Sequence, residues 1–164
     1  MGAFIGRDVT IELLLAKETR AKVNGAYPKP VSPAAYVVLG GTRGLSKSTE
    51  WDTVDATSRS SAGNVRESLV NYLSVDGSVD GVWLTEDAEN IEDASDYVNN
   101  PTSGQPYGWI RLTRPGDSGG TVTEEIYALL TTFSFEAPYD DVGTFSMDYT
   151  GQQAVIKTVV PATP

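Results

Sequence analysis

The sequence predicts an antiparallel β-sandwich or barrel of about seven to eight strands carrying one α-helix. Three observations predict it. Short apolar–polar alternations, the period of a half-buried strand, recur from Val9 to Val160 with turn residues between them. One stretch, near residues 86–98, has helical spacing and an acidic start. Strands and helices do not alternate along the chain, which argues against the βαβ units of a parallel sheet. The 164 residues, 40% hydrophobic and 21% charged, read as one domain spanning 1–164 with a core of its own and a long polar loop at about 40–68.

The elements follow in order. Val9, Ile11, Leu13 and Leu15 alternate on one face of a first strand. Pro28, Pro30 and Pro33 mark a loop before a second strand from Ala34 to Leu39, and Gly40-Gly41-Thr42-Arg43-Gly44 marks a turn or bulge. Residues 46–68, SKSTEWDTVDATSRSSAGNVRES, are polar and Ser/Thr-rich, a loop length that is uncommon in a compact domain unless it has a role, with interrupted strand segments around Trp51 to Val54 as the alternative. Leu69 to Val75 is a strand, with Leu69, Asn71, Leu73 and Val75 on one face and Val70 and Tyr72 on the other. Asp76-Gly77 and Asp80-Gly81 are turn signals. In the helix, Thr85 is the expected N-cap, Glu86, Asp87 and Glu89 sit in the first turns, where the macrodipole favours them, and Ala88, Ile91, Ser95 and Val98 share one narrow face. Asn99-Asn100-Pro101 ends it. Strands then run from Tyr107 to Thr113, from Thr123 to Ala137 and from Thr144 to Thr150. A last strand covers Ala154 to Val160; in the long one, Phe133 and Phe135 are expected to share a face with Tyr127 and Leu129.

Charge divides the chain. Residues 1–70 hold nine Lys/Arg and seven Asp/Glu, whereas residues 71–164 hold three and fifteen, within a total of −10. A strongly acidic half argues against tight nucleic-acid binding, which needs clustered cations, but not against DNA passing close by. The sequence contains no cysteine, so disulfides and thiolate metal sites are excluded and an intracellular folding compartment is expected. No apolar run reaches the length of a membrane span, and the N-terminal stretch has no signal-peptide pattern.

Three patterns invite other readings. Gly116-Asp117-Ser118-Gly119-Gly120 spells the nucleophile loop of trypsin-like proteases, yet a serine needs a base and the chain has no histidine. All five residues are turn formers between strands, and no enzymatic role is expected. Asp76, Ser78, Asp80 and Asp87 match the spacing of an EF-hand calcium loop, with Asp87 in the place of the usual bidentate Glu. A sugar-stacking platform from Trp83, Tyr107 and Trp109 is a third pattern, so a β-sandwich module binding calcium or carbohydrate is the alternative function. No cofactor site is expected.

Residues 127–152, YALLTTFSFEAPYDDVGTFSMDYTGQ, join a long strand, a turn at Ala137-Pro138-Tyr139-Asp140-Asp141, a return through Thr144-Phe145-Ser146 and an end at Thr150-Gly151. Upstream, Asp55, Thr57, Gly63, Glu67 and Leu69 form a second spaced set. In this order, with one helix between the strand pairs, the chain resembles the major tail tube proteins of bacteriophages with long, non-contractile tails; the inner tube of contractile systems shares that fold. The resemblance implies a structural virion protein assembling as hexameric rings stacked into a tube, with an acidic lumen that conducts DNA during ejection. It implies partners in tape-measure, tail-terminator and tail-tip proteins, no membrane, and assembly in the host cytoplasm. Asp55, Thr57, Arg59, Ser60, Arg66 and Glu67 are then candidates for an inter-subunit loop, and Glu124, Glu136 and Asp148 for lumen-facing acids.

Overall fold

A computed structural model describes residues 9–15, 22–30, 36–39, 41–55, 68–83, 88–100, 105–116, 119–139 and 141–162. The strands are β1 (Thr10–Leu15), β2 (Val37–Val38), β3 (Thr42–Asp55), β4 (Ser68–Val82), β5 (Tyr107–Pro115), β6 (Thr121–Glu136), β7 (Thr144–Gly151) and β8 (Ile156–Val160), with helix α1 (Ala88–Asn99) between β4 and β5. Every pairing is antiparallel, in the order β2-β1-β5-β6-β7-β4-β3, and β8 also pairs with β6. The fold class expected from the sequence is therefore the one observed.

Strand β6 joins two half-sheets. Its first half, 121–129, lies beside β5 on one edge and beside β8 over 121–125 on the other. Its second half, 128–136, pairs with β7. The two halves curl round one core, so that Lys47 of β3 reaches Glu124 of β6 and Val9, Ile11 and Leu112 share a cleft wall with Thr42, Gly44 and Leu45. The core contains Ile11, Leu13, Val75, Val79, Ile110, Ile126, Ala128, Leu130, Phe133, Phe145, Met147 and Tyr149. Helix α1 closes it against β6 through Ile91 and Ala94, with Glu92, Asp93 and Asp96 facing water. The helical period predicts this amphipathic split, although Ala94 is buried more deeply than Ser95.

Three expectations need correction. First, the polar segment beginning at Ser46 is strand β3 as far as Asp55, paired residue by residue with β4. Its polarity reflects exposure on both sides rather than an absence of structure. Second, Asp76-Gly77 and Asp80-Gly81 are not turns but lie in the middle of β4. Gly77 stands directly opposite Tyr149 and Gly81 opposite Phe145, so the aromatic rings lie over the space left by the missing side chains. The Tyr149 hydroxyl crosses Gly77 to donate to the Ser46 carbonyl at 3.1 Å. Third, the pairing of β6 with β7 shifts between Leu130 and Thr132. That bulge moves Phe133 off the face of Tyr127 and into the core, where it stacks on Phe145 at 6.0 Å.

Candidate assembly surfaces

The half-sheet β6-β7-β4-β3 has one face in the core and one face outside it. The strand period puts Phe145, Met147 and Tyr149 inside, so Thr144, Ser146, Asp148 and Thr150 point out. In β4 the same alternation turns Val75 and Val79 inward and Ser74, Asp76, Ser78 and Asp80 outward. Register aligns these side chains in rows across the sheet: Ser134, Ser146 and Asp80; Thr132, Asp148, Ser78 and Ser46; Thr150, Asp76 and Ser48. Glu136 continues the face beside Thr144, and Ser46 Oγ and Ser78 Oγ lie 2.9 Å apart. The outer surface is thus a mat of hydroxyls carrying Asp76, Asp80, Glu136 and Asp148, with Arg43 at its margin beside Asp80 and Glu136.

This geometry redistributes the candidate residues. Glu136 and Asp148 lie exposed on that face. Glu124 does not: it is 8% exposed, and Lys47 and Arg114 share its carboxylate, so it is withdrawn from the set of bare acids. Asp76, Ser78 and Asp80 are spread along an extended strand instead of wrapping a cation, which removes the EF-hand loop; Asp87 lies outside the described residues. Among the described residues no group of three acids or histidines converges as a metal site. Trp109 is fully buried, Tyr107 stacks on Tyr127 at 5.5 Å and Trp83 meets Phe135 edge-on at 5.1 Å, so the three rings form no sugar platform. Gly116 donates to the Gly120 carbonyl at 2.8 Å, which closes the β5–β6 connection; Asp117 and Ser118 lie outside the described residues. Asp76 and Asp80 are surface acids instead of calcium ligands, and the two-residue period of Ser74-Val75-Asp76-Gly77-Ser78-Val79-Asp80-Gly81 carries the signal once glycine is counted as apolar.

The second surface is a ribbon. Beyond Asp76, the last β4 residue paired with β7, strand β4 pairs with β3 alone among the described residues. Trp51, Val54, Leu69, Val70 and Tyr72 on this arm are 52–71% exposed. Contiguous exposed apolar side chains are a general mark of interaction surfaces. Asp55 ends β3, while Thr57, Arg59, Ser60, Arg66 and Glu67 lie outside the described residues. Phe135, Tyr139 and Val142 near the β6–β7 turn and Val159 and Val160 on β8 are exposed as well. Strand β8 pairs only with β6, and β3 only with β4, so each leaves an open edge among the described residues.

The other half-sheet is covered. Register places Glu12, Arg111 and Glu125 side by side across β1, β5 and β6. Arg111 lies 3.4 Å from Glu12 and 3.5 Å from Glu125, and its guanidinium stacks over the Tyr36 ring at 3.6 Å. Lys29 meets Glu125 at 2.5 Å, and the Tyr36 hydroxyl donates to Glu125 at 3.2 Å. Burial, then the Glu125 charge, push the Tyr36 hydroxyl well above its ordinary pKa. Tyr27 packs on Tyr127 at 4.2 Å, so Tyr27, Lys29 and Tyr36 lie over this half-sheet.

No protein-family model matches the chain, and no curated protein sequence does. Solved structures do match, and they define the class: the chain has the fold of phage-type tail tube subunits. The tail of the empty gene transfer agent particle, refined with C6 symmetry, superposes with a TM-score of 0.65 at 19% identity, over 95% of this chain and 99% of that one. The virion of the native gene transfer agent particle gives 0.63 at 19% identity over the same shares. The SPP1 tail tube gives 0.61 at 9% identity, over 99% of this chain and 81% of its own.

Proposed function

We propose that the chain is the subunit of a phage-type tail tube, assembling as hexameric rings that stack and conduct DNA through their lumen. The observation that carries this reading is the likeness of fold to tail and tail-tube structures over nearly the whole chain. The exposed ribbon and the open strand edges support it, because self-association covers both. The inter-subunit role falls to β3, β4 and the residues joining them, Asp55, Thr57, Arg59, Ser60, Arg66 and Glu67 included. The lumen falls to the hydroxyl face, where Asp76, Asp80, Glu136 and Asp148 repel phosphates. On this reading the protein resides in the virion tail after assembly in the host cytoplasm. It meets tape-measure, terminator and tip proteins and holds no cofactor.

Negative-stain electron microscopy of the concentrated protein, with static light scattering alongside, tests the reading. Rings or hollow tubes are expected; a monomer at every concentration would refute it. Replacing Asp76, Asp80 and Asp148 together by Lys leaves the fold intact and makes the protein retard DNA in a gel at low salt. No retardation would remove the face from the lumen.

A further inference from the structure

Val23 and Ala26 form an isolated antiparallel bridge: Val23 donates to the Ala26 carbonyl at 2.8 Å, and Ala26 donates back at 3.1 Å. The loop they close is Asn24-Gly25, and both residues have positive φ, 52° and 82°, as in the type I′ turn that this pair favours. Asn24 is the one non-glycine residue with positive φ among the described residues. Asn24 and Gly25 are exposed, and nothing stands within 4 Å of a Cβ built at Gly25. Among the described residues the Gly25 N–H has no hydrogen-bond partner.

An asparagine before glycine can close a five-membered ring, because no Cβ on the next residue obstructs attack by its backbone nitrogen on the side-chain carbonyl. Closure requires the intervening peptide plane to rotate. That rotation turns a type I′ loop into type II′, which keeps φ positive at Asn24 and keeps the closing bridge. The sequence has no other Asn-Gly pair. Asn71, Asn99 and Asn100 are exposed too, but they precede Tyr72, Asn100 and Pro101. Asp76-Gly77 and Asp80-Gly81 could close the same ring, yet both glycines are paired on two sides, with β3 and with β7, and the ladder holds their peptide planes.

We propose that Asn24 is a self-modification site. Hydroxide removes the Gly25 amide proton, the nitrogen bonds to Asn24 Cγ, and the Cγ–Nδ2 bond breaks to release ammonia. Water then opens the succinimide. Cleavage between nitrogen and Cγ leaves aspartate; cleavage between nitrogen and the main-chain carbonyl carbon leaves isoaspartate. Isoaspartate lengthens the main chain by one carbon inside a two-residue loop, so Val23 and Ala26 lose register. The strain passes to Tyr27, whose N–H donates to Gln153 Oε1 at 2.7 Å and whose carbonyl accepts from Gln153 Nε2 at 3.3 Å. Modification therefore loosens the segment that covers Tyr127.

Ageing the purified protein at mildly alkaline pH, folded and in urea, tests this by peptide mass mapping. The tryptic peptide from Val23 to Arg43 contains no side-chain amide but that of Asn24. In the folded protein Asn24 should convert about tenfold faster than Asn71 or Asn99, whereas Asp76 and Asp80 isomerise only in urea. Asn24→Gln should remove the acidic shift seen by ion exchange. Asn24 left intact in the folded protein would overturn the site, whatever happens in urea. In the isoaspartate fraction the Ala26 and Tyr27 amides should exchange with solvent about tenfold faster than in the parent. Unchanged exchange would overturn the loosening.

Discussion

Gly77→Ala separates a glycine needed for packing from one tolerated by chance. A Cβ at Gly77 would collide with the Ser46 carbonyl oxygen of the neighbouring strand and stand 2.5 Å from the Tyr149 hydroxyl. Backbone on one side and a buried ring on the other leave little room to relax. Overpacking of this kind costs about 1–3 kcal/mol. Parting β3 from Tyr149 also endangers the hydroxyl's bond to Ser46, worth about 1 kcal/mol. The alanine returns about 0.4–1 kcal/mol by restricting the unfolded chain. The expected net loss is about 2–3 kcal/mol, a fall in Tm of about 4–12 °C for a domain of this size. Gly108→Ala is the matched control: it also lies within a strand, but its nearest neighbour would be 3.3 Å away, an adjustment of tenths of an ångström. Its stability should stay within about 1 kcal/mol of the parent. Urea unfolding of the two variants provides the comparison. If Gly77→Ala is as stable as Gly108→Ala, the aromatic crossing over Gly77 is not what requires glycine there.

Two more perturbations follow from the buried polar groups. Glu125→Gln leaves Arg111 and Lys29 without their shared anion and should cost about 2 kcal/mol in urea unfolding; the value falls below that of a fully buried pair because the Lys29 side chain is 43% exposed. Glu12→Gln, further out on the same row, should cost less than about 1 kcal/mol, and equal losses would contradict the assignment of Glu125 as the hub. Burial, and then the charges of Asp76 and Glu124, push the Tyr149 hydroxyl up to about 12. Above pH 10 the unfolded tyrosine gives up its proton while the folded one keeps it, so stability is full below 10 and falls as pH rises towards 12. Tyr149→Phe should flatten that part of the stability–pH curve, and an unchanged slope would refute the shift.

Much of the fold is legible in the sequence because its strands are half-buried. Ile11 and Leu13, Ile110 and Leu112, and Phe145, Met147 and Tyr149 repeat at the strand period, and Ile91 with Val98 keeps the helical one. The failures have separate causes. Strand β3 is exposed on both faces over its outer part, so no alternation betrays it. Gly77 and Gly81 read as turns because their cross-strand rings are more than sixty residues away in sequence. The bulge after Leu130 changes the face of Phe133 without any Gly or Pro to mark it. Glu124 and Glu125 look like surface acids, and only the fold brings Lys47 and Lys29 to them. On the outer face, Glu136 and Asp148 are exposed acids, whereas the spacing of Asp76 and Asp80 suggests a calcium loop that the extended strand rules out.

Strand β6 also determines when the chain becomes a folded protein. Its two neighbouring glutamates, on opposite faces of one strand, fasten Lys47 from the core side and Lys29 from the outside, over 77 residues in the first case. Strands β5, β7 and β8 all pair with it. On the ribosome, the first hundred residues therefore emerge before the strand that organises them exists. Loop closures of that length make folding a late and cooperative event. Until Glu136 has been synthesised, the β3–β4 ribbon with its exposed Trp51, Leu69 and Tyr72 is an aggregation-prone segment on an unfinished chain.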